Sequence, residues 1–160
     1  MRQTLNGMRK RGSEDRGFTM IELLVVVVII GVLVAIAVPV YLNYRKGAAN
    51  KSAASDVRGA ITAVEQYYTD NSNTYPAKTA TTKAGESFTL KGTTGGDQTI
   101  SVSPGNSVGV NPLTVGGAAA YRICAFNADG GQMYVYNSSA GGSVAKSAAT
   151  TLDACLTAAP

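Results

Sequence analysis

Few residues in this 160-residue chain could do chemistry. It contains no histidine, which removes the commonest general base and the commonest metal ligand. No P-loop or other nucleotide motif is present, and Ser and Asp, although plentiful, form no dense carboxylate cluster or metal-ligand spacing. The residue types therefore offer no catalytic constellation, metal site or cofactor site. Two features remain. Glu22 is a lone carboxylate inside a long apolar run. Cys124 and Cys155 both lie in the last quarter of the chain, too far apart for a CxxC motif. The expected state of the cysteines is one disulfide formed outside the cytoplasm. Closing a loop of about 30 residues contributes roughly 3–4 kcal/mol on the chain-entropy account.

The element that carries Glu22 is the apolar run over residues 18–38. As a helix it extends about 31 Å, against a bilayer core of about 30 Å. A single span must be helical, whatever its content of Val and Ile, because lipid offers no partner for backbone groups. A carboxylate in such a segment costs about 2–3 kcal/mol or more unless paired or protonated, so function is its default reading. An alternative is a Glu22 that only reaches back to the headgroups. Tyr41 and Tyr44, just past the run, suit interfacial anchoring.

The stretch Arg16-Gly17-Phe18-Thr19-Met20-Ile21-Glu22-Leu23-Leu24-Val25 closely resembles the processing site of type IV prepilins and their pseudopilin relatives. In that family a short basic leader ends in Gly, Phe usually follows, and Glu falls at the fifth position after the cut. The resemblance covers the first third of the chain closely and the remainder only in layout. It implies that residues 1–17 are a leader and that a prepilin peptidase cuts between Gly17 and Phe18. It further implies N-methylation of the new Phe18 amine, and pairing of Glu22 with the Phe18 amine of a neighbouring subunit. An amine and a carboxylate that neutralise each other replace two isolated charges in an apolar surrounding. Two other readings of this region compete. An ordinary secretory signal could be cut after Ala35-Ile36-Ala37, but the apolar region is longer than usual, contains Glu22 and is followed closely by Pro39. An unprocessed anchor would keep the leader. Basic residues flank the run on both sides, so charge alone does not orient it.

The expected fold class is α+β: one long N-terminal helix packed on a small antiparallel sheet, with a disulfide-bounded C-terminal region, as the type IV pilin fold implies. The expected division is leader 1–17, apolar filament-core helix 18–38, amphipathic continuation 39–71 and globular head 72–160. Pro39 cannot donate to the carbonyl of Ala35, so a kink or loosening is expected there, with Gly31 a second weak point. Ala53, Ala54, Val57, Ala60, Ile61, Val64, Tyr67 and Tyr68 recur at a 3–4 spacing that marks one buried helix face. Lys51, Asp56, Arg58, Glu65 and Asp70 are expected on other faces, solvated or locally paired. Asp70-Asn71-Ser72-Asn73, followed by Pro76, should stop the helix. Residues 72–117 read as irregular, with short strands at 87–90 and 99–102. Strands at 121–126 and 133–137 form a hairpin across Ala128-Asp129-Gly130-Gly131, with a third strand at 143–146.

The net charge of +4 does not point to nucleic acid. Residues 1–17 hold five basic and two acidic side chains, leaving nine against eight in the rest. Asn137-Ser138-Ser139 fits a glycosylation sequon, a short pattern with a high chance rate. The resemblance implies a structural subunit without enzyme activity or cofactor. Its head would lie outside the cytoplasm and its precursor in the inner membrane. The expected partners are copies of itself, the prepilin peptidase, membrane lipid and, indirectly, an inner-membrane platform protein and an assembly ATPase. A pseudopilin of a type II secretion system and a minor or tip pilin are the alternative forms.

Overall fold

A computed structural model describes residues 17–159. The expected leader therefore lies, apart from Gly17, outside the described residues. The chain order is a helix α1 (Met20–Asp70), seven strands and a short helix α2 (Leu152–Thr157). The chain divides into two units after Pro39, and each is described by itself.

The first unit is the apolar part of α1. Thr19 and Glu22 close its N-terminus reciprocally. The Thr19 backbone and hydroxyl both donate to Glu22 Oε2, at 2.8 and 2.7 Å, and the Glu22 amide donates to Thr19 Oγ1 at 3.3 Å. This is a capping box, in which a hydroxyl and a carboxylate three residues apart satisfy two backbone donors that the first helical turn leaves over. Gly31 and Pro39 both fall inside α1.

The second unit is built on the remainder of α1. Ala53, Val57, Ala60, Val64 and Tyr67 are buried, the face that the 3–4 spacing predicts. They pack on Val108 and Val110 of β4 (Asn106–Val115) and on Tyr121, Ile123 and Ala125 of β5 (Ala118–Asn127). The main sheet has the order β1-β4-β5-β6-β7, with β1 at Thr79–Ala80, β6 at Met133–Asn137 and β7 at Ala145–Ser147. Every pairing in it is antiparallel. A separate hairpin of β2 (Phe88–Leu90) and β3 (Gln98–Ile100) adds Leu90 and Ile100 to the core.

The ten-residue β4 corrects the expectation that residues 72–117 are irregular apart from two short strands. Asn106, Gly109 and Pro112 break up its apolar pattern, and it owes its form to pairing with β5 along its whole length. The two strands meet at Gly116 and Gly117, with φ of 60° and 85°, a conformation that glycine adopts without strain and that suits a two-residue hairpin loop. The third strand lies at Ala145–Ser147, slightly beyond its expected place. The C-terminal tail contains α2, which the sequence reading missed.

Side chains on the other face of β5 meet α2. Cys124 and Cys155 are disulfide-bonded across a sequence separation of 31, with Cα atoms 6.2 Å apart, as expected. Leu156 fits over Gly109, where an added Cβ would stand 2.6 Å from its Cδ1. Arg122 donates to the carbonyl of Cys155 at 3.4 Å, to that of Ala158, and to that of Ala159 at 3.1 Å, holding the chain end after α2.

Asp56 corrects the expectation of a solvated or locally paired charge. It is buried and accepts from the Ser103 amide at 2.8 Å, the Ser103 hydroxyl at 2.7 Å and Asn106 Nδ2 at 2.7 Å. Asn127 Nδ2 in turn donates to Asn106 Oδ1 at 2.7 Å. A second knot forms at the end of α1. Asn71 Oδ1 accepts from the amides of Thr93, Thr94 and Gly95, at 2.8, 3.2 and 2.9 Å, and so holds the β2–β3 loop against the helix terminus. Ser72 and Asn73 take φ of 55° and 57°, and the Asn73 amide donates to the Tyr68 carbonyl at 3.0 Å, a helix-ending turn of the Schellman kind.

Replacing Asp56 by Ala would leave several donors around Ser103 and Asn106 without their acceptor. The unfolding free energy should fall by about 2–3 kcal/mol, read from urea denaturation followed by tyrosine fluorescence. A second expectation concerns alkaline stability. Burial, reinforced by the hydrogen bond to Glu65, raises the Tyr121 hydroxyl above its ordinary pKa of 10. A raised folded-state value means that the associated stability is intact below pH 10 and is lost as pH climbs through the folded value. Stability should therefore drop more steeply above pH 10 in the native chain than in Tyr121→Phe.

Candidate assembly site

Among the described residues the apolar run is exposed along its length. From Met20 to Tyr44 the large hydrophobic side chains are all exposed, Met20 at 91% and Leu24 at 62% among them. A monomeric soluble protein rarely leaves a contiguous apolar patch larger than a few hundred Å², and larger ones mark protein or membrane contacts. α1 is long and apolar enough to cross a membrane.

Phe18, Gly17 and Glu22 stand together at the start of this surface. Gly17 and Phe18 are exposed and precede the helix, with no regular structure assigned to them. Backbone of this kind can enter a protease cleft, and the lack of a side chain at Gly17 permits close approach. Glu22 uses only Oε2 in the capping box, and among the described residues its other oxygen, Oε1, has no partner. The carboxylate thus holds its own helix start through one oxygen and leaves the other unengaged among the described residues. The capping role was legible in Thr19-x-x-Glu22 and went unread beside the family motif.

Away from this end the expected sites separate. The Cys124–Cys155 bridge belongs to the head and clamps α2, and Pro39 and Gly31 lie within the helix. The patch of Tyr68, Tyr75, Tyr121 and Tyr136 in the head was not foreseen, although all four are visible in the sequence. Ring centroids along it are 4.4, 4.8 and 5.7 Å apart, and the Tyr121 hydroxyl donates to Glu65 at 2.6 Å. Gly105-Asn106-Ser107-Val108-Gly109 has the spacing of a nucleophile elbow, a coincidence that the sequence reading passed over. Ser107 stands inside β4, not on a strand-to-helix turn, and the chain has no histidine to activate it.

Comparison with known proteins finds a family motif at the N-terminal end of the chain and relatives that match part of its length. The family described as the prokaryotic N-terminal methylation motif matches residues 13–38. The type II secretion system core protein G of Pectobacterium carotovorum subsp. carotovorum is 38% identical over 72 residues, 45% of this chain and 46% of that protein. The fimbrial protein EcpC of Eikenella corrodens is 40% identical over 78 residues, 49% of each chain. The type IV major pilin protein PilE of Neisseria gonorrhoeae is 35% identical over 78 residues, 49% of this chain and 46% of that one. The chain thus spans about half the length of the curated relatives it matches. No solved structure gives a significant match. The N-terminal methylation motif thus stands in front of a long apolar helix, an antiparallel sheet and a C-terminal disulfide, the arrangement of the type IV pilin fold.

Proposed function

We propose that this chain is a structural subunit of an extracellular type IV pilus, cut between Gly17 and Phe18 and polymerised through α1. The observation that carries the reading is the exposed apolar half of α1, headed by a lone carboxylate with one oxygen unpartnered among the described residues. In the inner membrane that surface faces lipid; in a filament it faces the same surface of other copies. Transfer between the two leaves the hydrophobic term nearly unchanged, so a charge pair can decide where a subunit docks. Glu22 supplies the acid, and Phe18, freed by the prepilin peptidase and N-methylated, supplies the amine of the neighbour. Pro39 lacks the amide that would satisfy the Ala35 carbonyl, and together with Gly31 it marks the stretch where α1 loosens on assembly. The platform protein and the assembly ATPase would act on this end from the membrane and the cytoplasm. The identity to type II secretion core protein G favours a second reading, a pseudopilin of a secretion system with the same polymerisation chemistry. Long surface fibres support the first reading, and short periplasmic filaments the second.

The N-terminus and intact mass of protein sheared from the cell surface test the proposal directly. The expected chain begins at Phe18, carries a methyl group and is two hydrogens lighter than the reduced chain. A chain beginning at Met1 or Val38 overturns it. Glu22→Ala should still be cut at Gly17 yet lose filaments by at least an order of magnitude, because its amine partner is then left alone in an apolar core. Wild-type fibre yield in that variant would refute the role of the carboxylate.

A further inference from the structure

Ionic groups in the head are mostly accounted for within the chain. Arg45 pairs with Asp129 at 2.7 Å, Lys78 with Asp153 at 2.5 Å, and Lys91 with Asp97 at 2.6 Å. Asp56 is buried among donors, and Arg122 is spent on carbonyls. The exposed side of α1 is different. Lys51, Arg58 and Glu65 are all exposed and follow one another at seven-residue intervals. Seven residues are nearly two helical turns, so the three side chains stand in one column. Among the described residues Lys51 and Arg58 make neither an ion pair nor a side-chain hydrogen bond. Glu65 accepts from Tyr121 through Oε1, and among the described residues Oε2 has no partner. Beside the column, an added Cβ at Gly59 would meet nothing within 4 Å, so another helix can approach closely.

The charge order decides what fits. Copies that share the apolar core described above run parallel, since each enters it by the same end. Packed in register, the columns set Lys51, Arg58 and Glu65 each against its own kind, which is repulsive throughout. A stagger of seven residues, about 10.5 Å, brings Arg58 against Glu65 and leaves one like pair, Lys51 against Arg58. A stagger of fourteen, about 21 Å, brings Lys51 against Glu65 with no like pair. In both cases the acceptor is Glu65.

We propose that the Lys51–Arg58–Glu65 column of α1 docks on the same column of a second copy of this chain, staggered so that Glu65 of one copy receives Lys51 or Arg58 of the other. The proposal rests on the reading of the chain as a polymerising subunit. It adds a contact in the head to the one at Glu22, and that contact opposes in-register pairing.

Sheared filaments treated with a water-soluble carbodiimide supply the test. The reagent activates a carboxylate, a lysine amine displaces it to form an amide, and water is taken up as the urea. Along one helix Lys51 and Glu65 stand about 21 Å apart, so a link between them must join two copies. Position 58 lies only about 10.5 Å from Glu65, within reach of an extended Lys–Glu amide, so that link counts only where it joins isotopically light and heavy copies in mixed filaments. Peptide mapping should find Glu65 joined to Lys51 in wild-type filaments, or to the introduced amine in Arg58→Lys filaments. Lys51→Glu combined with Arg58→Glu should cut filament yield at least fivefold at low salt, with near-ultraviolet dichroism of the head unchanged. Adding Glu65→Lys should restore it. Absence of any intermolecular Glu65 link from both wild-type and Arg58→Lys filaments, links from Glu65 to a different protein, or a charge-reversed chain that assembles normally would each overturn this contact while leaving the pilus reading intact. Absence of wild-type filaments would remove both.

Discussion

Exposed apolar surface governs this molecule. The first half of α1 presents exposed Val, Ile and Leu along its length. Burial at about 25 cal/mol per Å² makes such a surface untenable in water. It must be held by lipid or by other helices, and both environments demand helical backbone and penalise an isolated charge. The capping box at Thr19 and Glu22 answers both demands at once, because the carboxylate is engaged locally before any partner arrives.

The head has a complementary task, which is to ride on a helix that it did not choose. It does so with a thin core and two polar knots. Small residues on α1, chiefly Ala53, Val57 and Ala60, let β4 and β5 come close. Asp56 fixes the Ser103–Asn106 corner, and Asn71 fixes the β2–β3 loop. Hydrogen bonds of this kind add modestly to net stability but are expensive to leave half made, so they specify one docking of sheet on helix. The disulfide and Arg122 do the same for α2 on the far face.

Legibility in the sequence followed the strength of the local signal. The apolar run and the buried stripe from Ala53 to Tyr67 were readable, because each is a pattern within one element. The pairing of Cys124 with Cys155 was readable because no other cysteine competes. β4 was not, since Asn106, Gly109 and Pro112 conceal a strand that exists only through its partner. Asp56 was misplaced for the same reason: a charge on a helix looks solvated until the loop that covers it, here Ser103 and Asn106, is known. Helix α2 is six residues long, too short for any period to show.

Pro112 is opposite Tyr121 in the β4–β5 ladder, and the Tyr121 amide turns away to Ser138 Oγ at 2.9 Å. The pair is therefore of the non-hydrogen-bonded kind, and the proline nitrogen faces the open edge of β4 beyond β1. A free strand edge is a template for uncontrolled growth, and a missing donor in the middle of it breaks the template. Wherever copies of a sheet are crowded together, such an edge invites strand exchange and amyloid-like fusion. A single imino acid keeps this one inert.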